Sequence, residues 1–302
     1  MSILVVGSVA FDTVETPFGK AEEVLGGSAT YFSTSASYFA DVRLVAVVGT
    51  DFPDEHIKKL TDRGIDVAGL KKAPGKTFRW KGRYEYDLNQ AHTLETQLNV
   101  FSAFNPEIPD AYRESPYVFL ANIDPELQLK VLDQVARPRL IACDTMNFWI
   151  SGKPDVLRKL LKRVEIFVIN EAEARQLAGT ASLVKAAKDI MREGPKTLIV
   201  KRGEYGALMF NGGSIFSAPA YPLEDIFDPT GAGDSFAGGL MGYLANTGDL
   251  SESNLRKAII FGSVMASFNV EAFSLGRLST LTNEEIRSRY MEFKRLTHFE
   301  DI

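Results

Sequence analysis

Asp228-Pro229-Thr230-Gly231-Ala232-Gly233-Asp234-Ser235-Phe236-Ala237-Gly238-Gly239 is the stretch on which the reading of this chain turns. Pro229 holds Asp228 extended, and Gly231 and Gly233 permit a tight turn and a close approach of backbone to a ligand. Past the turn, Phe236, Leu240, Tyr243 and Leu244 recur at the spacing of one apolar helix face. The free N–H groups of that helix's first turn, carried by small residues, predict an anion site. Asp234 then stands out, because a carboxylate beside a phosphate is repelled unless it has a chemical task. Taking the proton of a hydroxyl that attacks phosphorus is such a task. The plainer alternative is a glycine turn with Asp234 as an ordinary N-terminal helix carboxylate. A dinucleotide fingerprint is not met, since its third glycine falls at Phe236, and no Gly-Lys-Ser/Thr follows these glycines as a Walker loop requires.

Around this stretch the chain has the composition of a globular protein. Its 302 residues allow one large α/β domain or two smaller ones, and 45% hydrophobic with 24% charged residues argues against disorder. A net charge of −5 speaks against a nucleic-acid partner, which usually meets a basic face. The apolar run Ile3-Leu4-Val5-Val6 is too short for a signal peptide, and no stretch approaches a membrane span. A lone Cys143 excludes an internal disulfide and fits a reducing compartment. The expectation is a cytoplasmic enzyme or binding protein for a small molecule.

Along the chain, buried-type strands alternate with helices. Strands are expected at 3–7, 43–48, 117–120, 140–143, 166–169 and 197–200. Helices are expected after Gly26-Gly27-Ser28 through Phe39 and near 54–63, 125–136, 154–163, 182–193, 232–246, 252–270 and 283–297. That rhythm predicts a mostly parallel sheet with crossover helices. Asn211-Gly212-Gly213 marks a hairpin between 206–210 and 214–217. Asp12 is read in a loop. Residues 78–86 break the rhythm by alternating aromatic and polar side chains, the signature of a half-exposed strand, with 94–101 as a candidate partner. An antiparallel patch here, about 76–104, reads as a lid or a simple edge extension, and its aromatic face needs cover. No linker divides the chain, so 1–302 is read as one domain.

Strand ends are where parallel sheets bind ligands. Ile169 opens into Asn170-Glu171-Ala172-Glu173, which by itself is a helix N-cap with Glu173 in capping-box position. Cys143 opens into Asp144, and Val200 into Lys201-Arg202-Gly203. Asp12 and Gly26-Gly27 are the candidates at the N-terminal strand ends. His56 and His92 have no companion ligands and are read as surface residues.

The run from Asp228 to Gly239 resembles the C-terminal signature of the ribokinase-like (PfkB) sugar and nucleoside kinases, D-x-T-x-A-G-D followed by a small-residue-rich helix. The resemblance implies a ribokinase-like three-layer α/β sandwich with a mostly parallel central sheet and a small β lid, which often forms a homodimer contact. It implies ATP and Mg²⁺ as cofactors. Asp234 would be the base, and the amides of Gly231, Ala232 and Gly233 would stabilise the transferring phosphoryl group. N-x-x-E looks like the family's second motif, placing Asn170 near the nucleotide phosphates and Glu173 on Mg²⁺ through water. Asp144 would lie near the metal. Lys201 and Gly203 resemble the strand-end loop laid against ATP, with Lys201 replacing a hydroxyl residue. Asp12, Gly26 and Gly27 match the acceptor motifs, whereas Tyr31 stands where an asparagine is frequent and could stack on a base. Asp228 and Thr230 align with a monovalent-cation site, so K⁺ is a further candidate, although Phe273-Ser274 stands where a glycine is often found. A primary hydroxyl of a ribosyl compound such as a nucleoside is the first expectation for the acceptor. A free sugar or cyclitol is the alternative, and a non-catalytic sensor or a nicotinamide dehydrogenase are the rivals from other classes.

Overall fold

A computed structural model describes residues 1–300. The first half carries β1 (Ile3–Val6), β2 (Ala10–Thr16), β3 (Gly19–Gly26), β4 (Val42–Gly49), β5 (Ile65–Ala73), β6 (Phe78–Tyr84) and β7 (Ala91–Gln97). The second half carries β8 (Tyr117–Leu120), β9 (Leu140–Cys143), β10 (Ile166–Asn170), β11 (Thr197–Lys201), β12 (Ala207–Asn211) and β13 (Ser214–Ala218). Nine strands make one sheet, ordered β13-β12-β11-β10-β9-β8-β1-β4-β5. Its pairs are parallel from β5 through to β11, and the β12–β13 hairpin closes one edge antiparallel.

The period of two explains the layers. In β1, Ile3 and Val5 face one apolar cluster while Leu4 and Val6 face the other. Both faces are therefore covered, which is why these strands read as continuous apolar runs. On the first face lie helices Ser28–Ala36, Ala232–Thr247 and Glu252–Asn269, through Phe32, Phe236, Leu240 and Ile259. On the second lie Pro125–Leu132, Pro154–Leu161 and Leu183–Arg192, through Val131, Leu157 and Ile190. This is the expected three-layer α/β sandwich. No helix among the described residues is long and apolar enough to cross a membrane.

The small sheet departs from the expectation in its make-up. It has four strands, β3-β2-β6-β7, so residues 10–26 supply half of it and Asp12 lies in a strand rather than a loop. Its β2–β6 pair is parallel, the others antiparallel. A register shift between Asp12 and Val14, with Glu23 at φ 47°, breaks the alternation that would have announced these strands. β5 was also not legible, because this edge strand carries Gly69, Lys71 and Lys72 in place of an apolar run.

Helix Ser28–Ala36 carries Tyr31 of the site described below, and its main anchor is Phe32. That ring is fully buried and stacked on Phe119 of β8, with centroids 4.2 Å apart. Phe32→Ala is expected to cost about 3–5 kcal/mol, measured by chemical denaturation; a loss below about 1 kcal/mol would mean the helix is held elsewhere.

Candidate active site

The turn before helix Ala232–Thr247 is built by hydrogen bonds, not by its sequence alone. Asp228 is fully buried, and its two carboxylate oxygens accept the N–H groups of Thr230 (2.9 Å) and Ser274 (3.1 Å). Ser274 sits at φ 56°, the left-handed region that suits the glycine expected there. Asn269 donates to the Thr230 carbonyl at 2.8 Å and accepts from the Ser235 hydroxyl at 3.0 Å, while Ser35 donates to the Ser235 carbonyl at 2.7 Å. Gly231 adopts φ 75°, and a Cβ there would stand 2.3 Å from the ring of Tyr31. Both its conformation and its neighbour demand glycine.

The helix start presents N–H groups to the cleft. Those of Gly231 and Gly233 have no acceptor among the described residues. The Ala232 N–H, expected to act with them, is instead bonded to the Pro229 carbonyl at 3.2 Å, because the left-handed residue before it folds the amide back into the turn. Asp234 lies in the helix's first turn. Loss of water around it, then repulsion from Asp144, push its carboxyl up to about 8; Lys201 opposes the shift and Asp12 adds to it. Asp234 thus feels groups on both sides of the cleft.

On one side stand Asp12, Gly26, Gly27 and Tyr31. Ser8 and Ser28 exchange hydrogen bonds that pin the glycine turn, and Gly27 sits at φ 94° against the Ser8 carbonyl. A Cβ on Gly26 would stand 1.9 Å from Asp12 Oδ2, so that glycine makes room for the carboxylate. Asp12 is 4% exposed, and burial raises its pKa to about 7. Tyr31 is 1% exposed. It therefore has no free ring face to stack on a base, and its buried hydroxyl has no hydrogen-bond partner among the described residues. Tyr84, which sequence reasoning left unassigned, reaches in from β6, and its phenol oxygen accepts from Thr230 Oγ1 at 3.3 Å. Asp228 and Thr230 are thus both engaged in shaping the turn.

On the other side, strand ends of the large sheet bring Asp144, Asn170, Glu173, Lys201 and Gly203 together. Asn170 caps helix Glu171–Ala178 by accepting the Glu173 N–H (2.8 Å), and Glu173 accepts the Asn170 N–H (3.0 Å). The capping box is real, and it fixes Glu173 at the cleft with its pKa raised to about 7 by burial and by Asp144. Lys201 Nζ lies 2.9 Å from Asp144 Oδ2 and 2.8 Å from where a Cβ on Gly233 would stand. Burial works against its charge, yet Asp144, Glu173 and Asp234 raise its pKa above the usual lysine value. Asp144, expected near a metal, is in this geometry the partner of Lys201. Among the described residues no cluster of three or more His, Cys, Asp or Glu could enclose a metal ion. Glu173 does suit Mg²⁺ held through water: an oxygen donor whose direct valences are partly taken by N–H groups.

The small sheet also touches this second side. Asn89, in the turn between β6 and β7, accepts the Glu204 N–H at 3.2 Å and lies against Gly203. No local signal marks that contact. Lys201–Asp144 and Tyr84–Thr230 were equally unreadable, since each joins residues far apart in the chain. His56 packs near Phe11 and Phe52 and is only partly exposed.

Comparison with known proteins shows the family. The family described as pfkB family carbohydrate kinase matches residues 2–281. A cytidine kinase of Thermococcus kodakarensis is 35% identical over 253 residues, covering 80% of this chain and 88% of that protein. Nucleoside kinase from Methanocaldococcus jannaschii superposes with a TM-score of 0.78 at 21% identity, over 96% of this chain and 98% of that one. A ribokinase II from E. coli in complex with ATP and Mg²⁺ gives 0.77 at 18% identity, over 96% and 99%. The chain therefore belongs to the pfkB family of carbohydrate kinases as an ATP-dependent sugar or nucleoside kinase.

Proposed function

We propose that this protein transfers the γ-phosphoryl group of ATP to the primary hydroxyl of a ribosyl compound, a nucleoside first, with Asp234 as general base. The observation that carries the reading is the position of Asp234. It stands in the first turn of a helix whose Gly231 and Gly233 amides have no acceptor among the described residues, and the charges of Asp144, Lys201 and Asp12 all bear on it. The acceptor oxygen attacks the γ-phosphorus, its proton passes to Asp234, and the bond to the ADP oxygen breaks. The Gly231 and Gly233 N–H groups and Lys201 stabilise the charge on the transferring group. Asn170 and Gly203 line the nucleotide's side of the cleft. Magnesium, when bound, neutralises phosphate charge, and Glu173 would hold it through water.

The acceptor rests on different support from what the sequence suggested. Burial of Tyr31 removes the stacking argument for a base, and the 35% identical cytidine kinase now favours a nucleoside. A free sugar or cyclitol is the second reading, favoured by that same lack of a stacking face. The small sheet is assigned the part of a lid, because Asn89 meets Glu204 across the cleft and a lid excludes competing water. Its outer face, where Leu94 is 49% exposed, is proposed as a homodimer contact, and the single buried cysteine supports a cytoplasmic location. A potassium ion at Asp228 and Thr230 completes the proposal.

The direct test is incubation with Mg-ATP and a panel of nucleosides, pentoses, hexoses and cyclitols, with and without potassium, following ADP release and product mass. One acceptor class should gain one phosphate; no product on any of them would overturn the reading. Asp234→Asn should lower kcat by at least about 10²-fold while ATP still binds by calorimetry. Near-normal turnover in that variant would remove Asp234 as the base.

Titration gives a second check. The base must be ionised, so kcat/KM should rise with pH through a midpoint near 8 and level off above it. The stability effect has the opposite sense. Folded Asp234 keeps a proton that the unfolded chain releases above about pH 4, so this group destabilises the fold progressively as pH rises towards 8. Asp234→Asn should therefore raise Tm more at about pH 9 than at about pH 5; an equal shift at both would contradict the burial of the carboxyl.

A further inference from the structure

We infer that the ammonium of Lys201, seated between Asp144 and the first turn of helix Ala232–Thr247, is a built-in cation that stands in for a second divalent ion at the transferring phosphate. Asp144 is then a positioning residue for Lys201 and not a metal ligand. The inference rests on the phosphoryl-transfer reading of the cleft and says how its donor side is charged. One divalent ion comes with the nucleotide, and the chain supplies the other cation.

Two strand ends deliver the pair. Lys201 is the last residue of β11 and Asp144 follows the last residue of β9, with β10 between them. Their 2.9 Å bond therefore crosses the end of the strand that opens into Asn170 and Glu173. The lysine side chain is 19% exposed and that of the aspartate 5%, so neither is a solvated surface group. Both Asp144 oxygens are engaged: Oδ2 accepts from Lys201, and Oδ1 accepts the Thr145 N–H at 2.7 Å. The charges of Asp144, Glu173 and Asp234 all bear on the ammonium. Three carboxylates acting on one position are what a hard divalent cation ordinarily collects, and here Nζ holds that position. The adjacent Arg202 takes no part, since its guanidinium lies 2.7 Å from Glu171.

The other side of the seat is backbone. A Cβ on Gly233 would stand 2.8 Å from Nζ, so the glycine leaves the ammonium room at the first turn of the helix. The N–H groups of Gly231 and Gly233 have no acceptor among the described residues. A helix N-terminus repels a cation, and an ammonium placed against one is favourable only with an anion that meets both. A phosphoryl oxygen does so, because it accepts from the amides and from the ammonium in the same place. Lysine is a compact point charge on a flexible stem, so it needs an anchor to be in position before the phosphate arrives. Asp144 is that anchor, and a cation fixed in advance stabilises charge that develops during transfer without having to move.

The test counts Mn²⁺ bound per protein by electron paramagnetic resonance in the presence of the non-hydrolysable analogue β,γ-imido-ATP. Beside it, turnover of an acceptor that the wild type phosphorylates is followed at constant Mg-ATP while free Mg²⁺ is varied. The wild type should bind one Mn²⁺ with the analogue and gain nothing from free Mg²⁺. Lys201→Ala should lose at least about 10²-fold in kcat with little change in acceptor KM. That variant should also bind a second Mn²⁺ and recover at least about tenfold in rate as free Mg²⁺ rises. Adding Asp144→Asn to it should return the count to one. A second Mn²⁺ on the wild type that Asp144→Asn removes, or activation of the wild type by free Mg²⁺, would overturn the inference while leaving the kinase reading intact. So would a folded Lys201→Ala that turns over normally or gains no second ion. The wild-type count needs no variant, so it decides the matter even where Lys201→Ala fails to fold. No binding of the analogue and no product on any acceptor would instead bring down the kinase reading beneath it.

Discussion

The carboxylate of Asp228, accepting N–H groups from Thr230 and Ser274, is the interaction from which the site is measured. It ties the turn at the start of helix Ala232–Thr247 to the loop after helix Glu252–Asn269. Asn269 adds a second tie through the Thr230 carbonyl and Ser235. Helix contact is close enough for these bonds because Gly239 and Gly262 meet opposing backbone without side chains. Once the turn is held, Gly231 has one conformation, the following N–H groups have one direction, and Asp234 has one place. The small residues of the helix thus serve the geometry of its first turn as much as they serve packing.

Electrostatics explain why such a site is worth its destabilising effect. Asp12, Glu173 and Asp234 all have pKa values raised to about 7 or 8, with burial as the leading cause in each case. A fold selected for stability alone would not gather three buried carboxylates around one cleft. Lys201 offsets part of the repulsion and is itself kept charged by them. The arrangement suits a reaction in which a proton is taken on one side and negative phosphate charge arrives on the other.

Much of this was legible locally. The glycine turn and its helix, the βα rhythm, the Asn211-Gly212-Gly213 hairpin and the Asn170–Glu173 cap all depend on neighbours within a few residues. Backbone sterics and cap hydrogen bonds write them directly into the chain. What failed were features whose signal is distributed. β2 and β3 are bulged and mixed in polarity, β5 is an edge strand with exposed lysines, and the role of Tyr31 changed from stacking surface to buried hydroxyl once its ring met Gly231.

The division follows range. By itself the sequence determined the class of fold, the turn that presents the helix N-terminus and the residue types needed for phosphoryl transfer, because each is set by contacts short in sequence. Tertiary structure alone decided that Lys201 pairs with Asp144, that Ala232 turns its N–H back to Pro229 while those of Gly231 and Gly233 stay without an acceptor among the described residues, and that Tyr84 of the small sheet meets Thr230. Those outcomes depend on how separate elements pack, and packing is fixed by the summed fit of distant side chains rather than by any local run of residues.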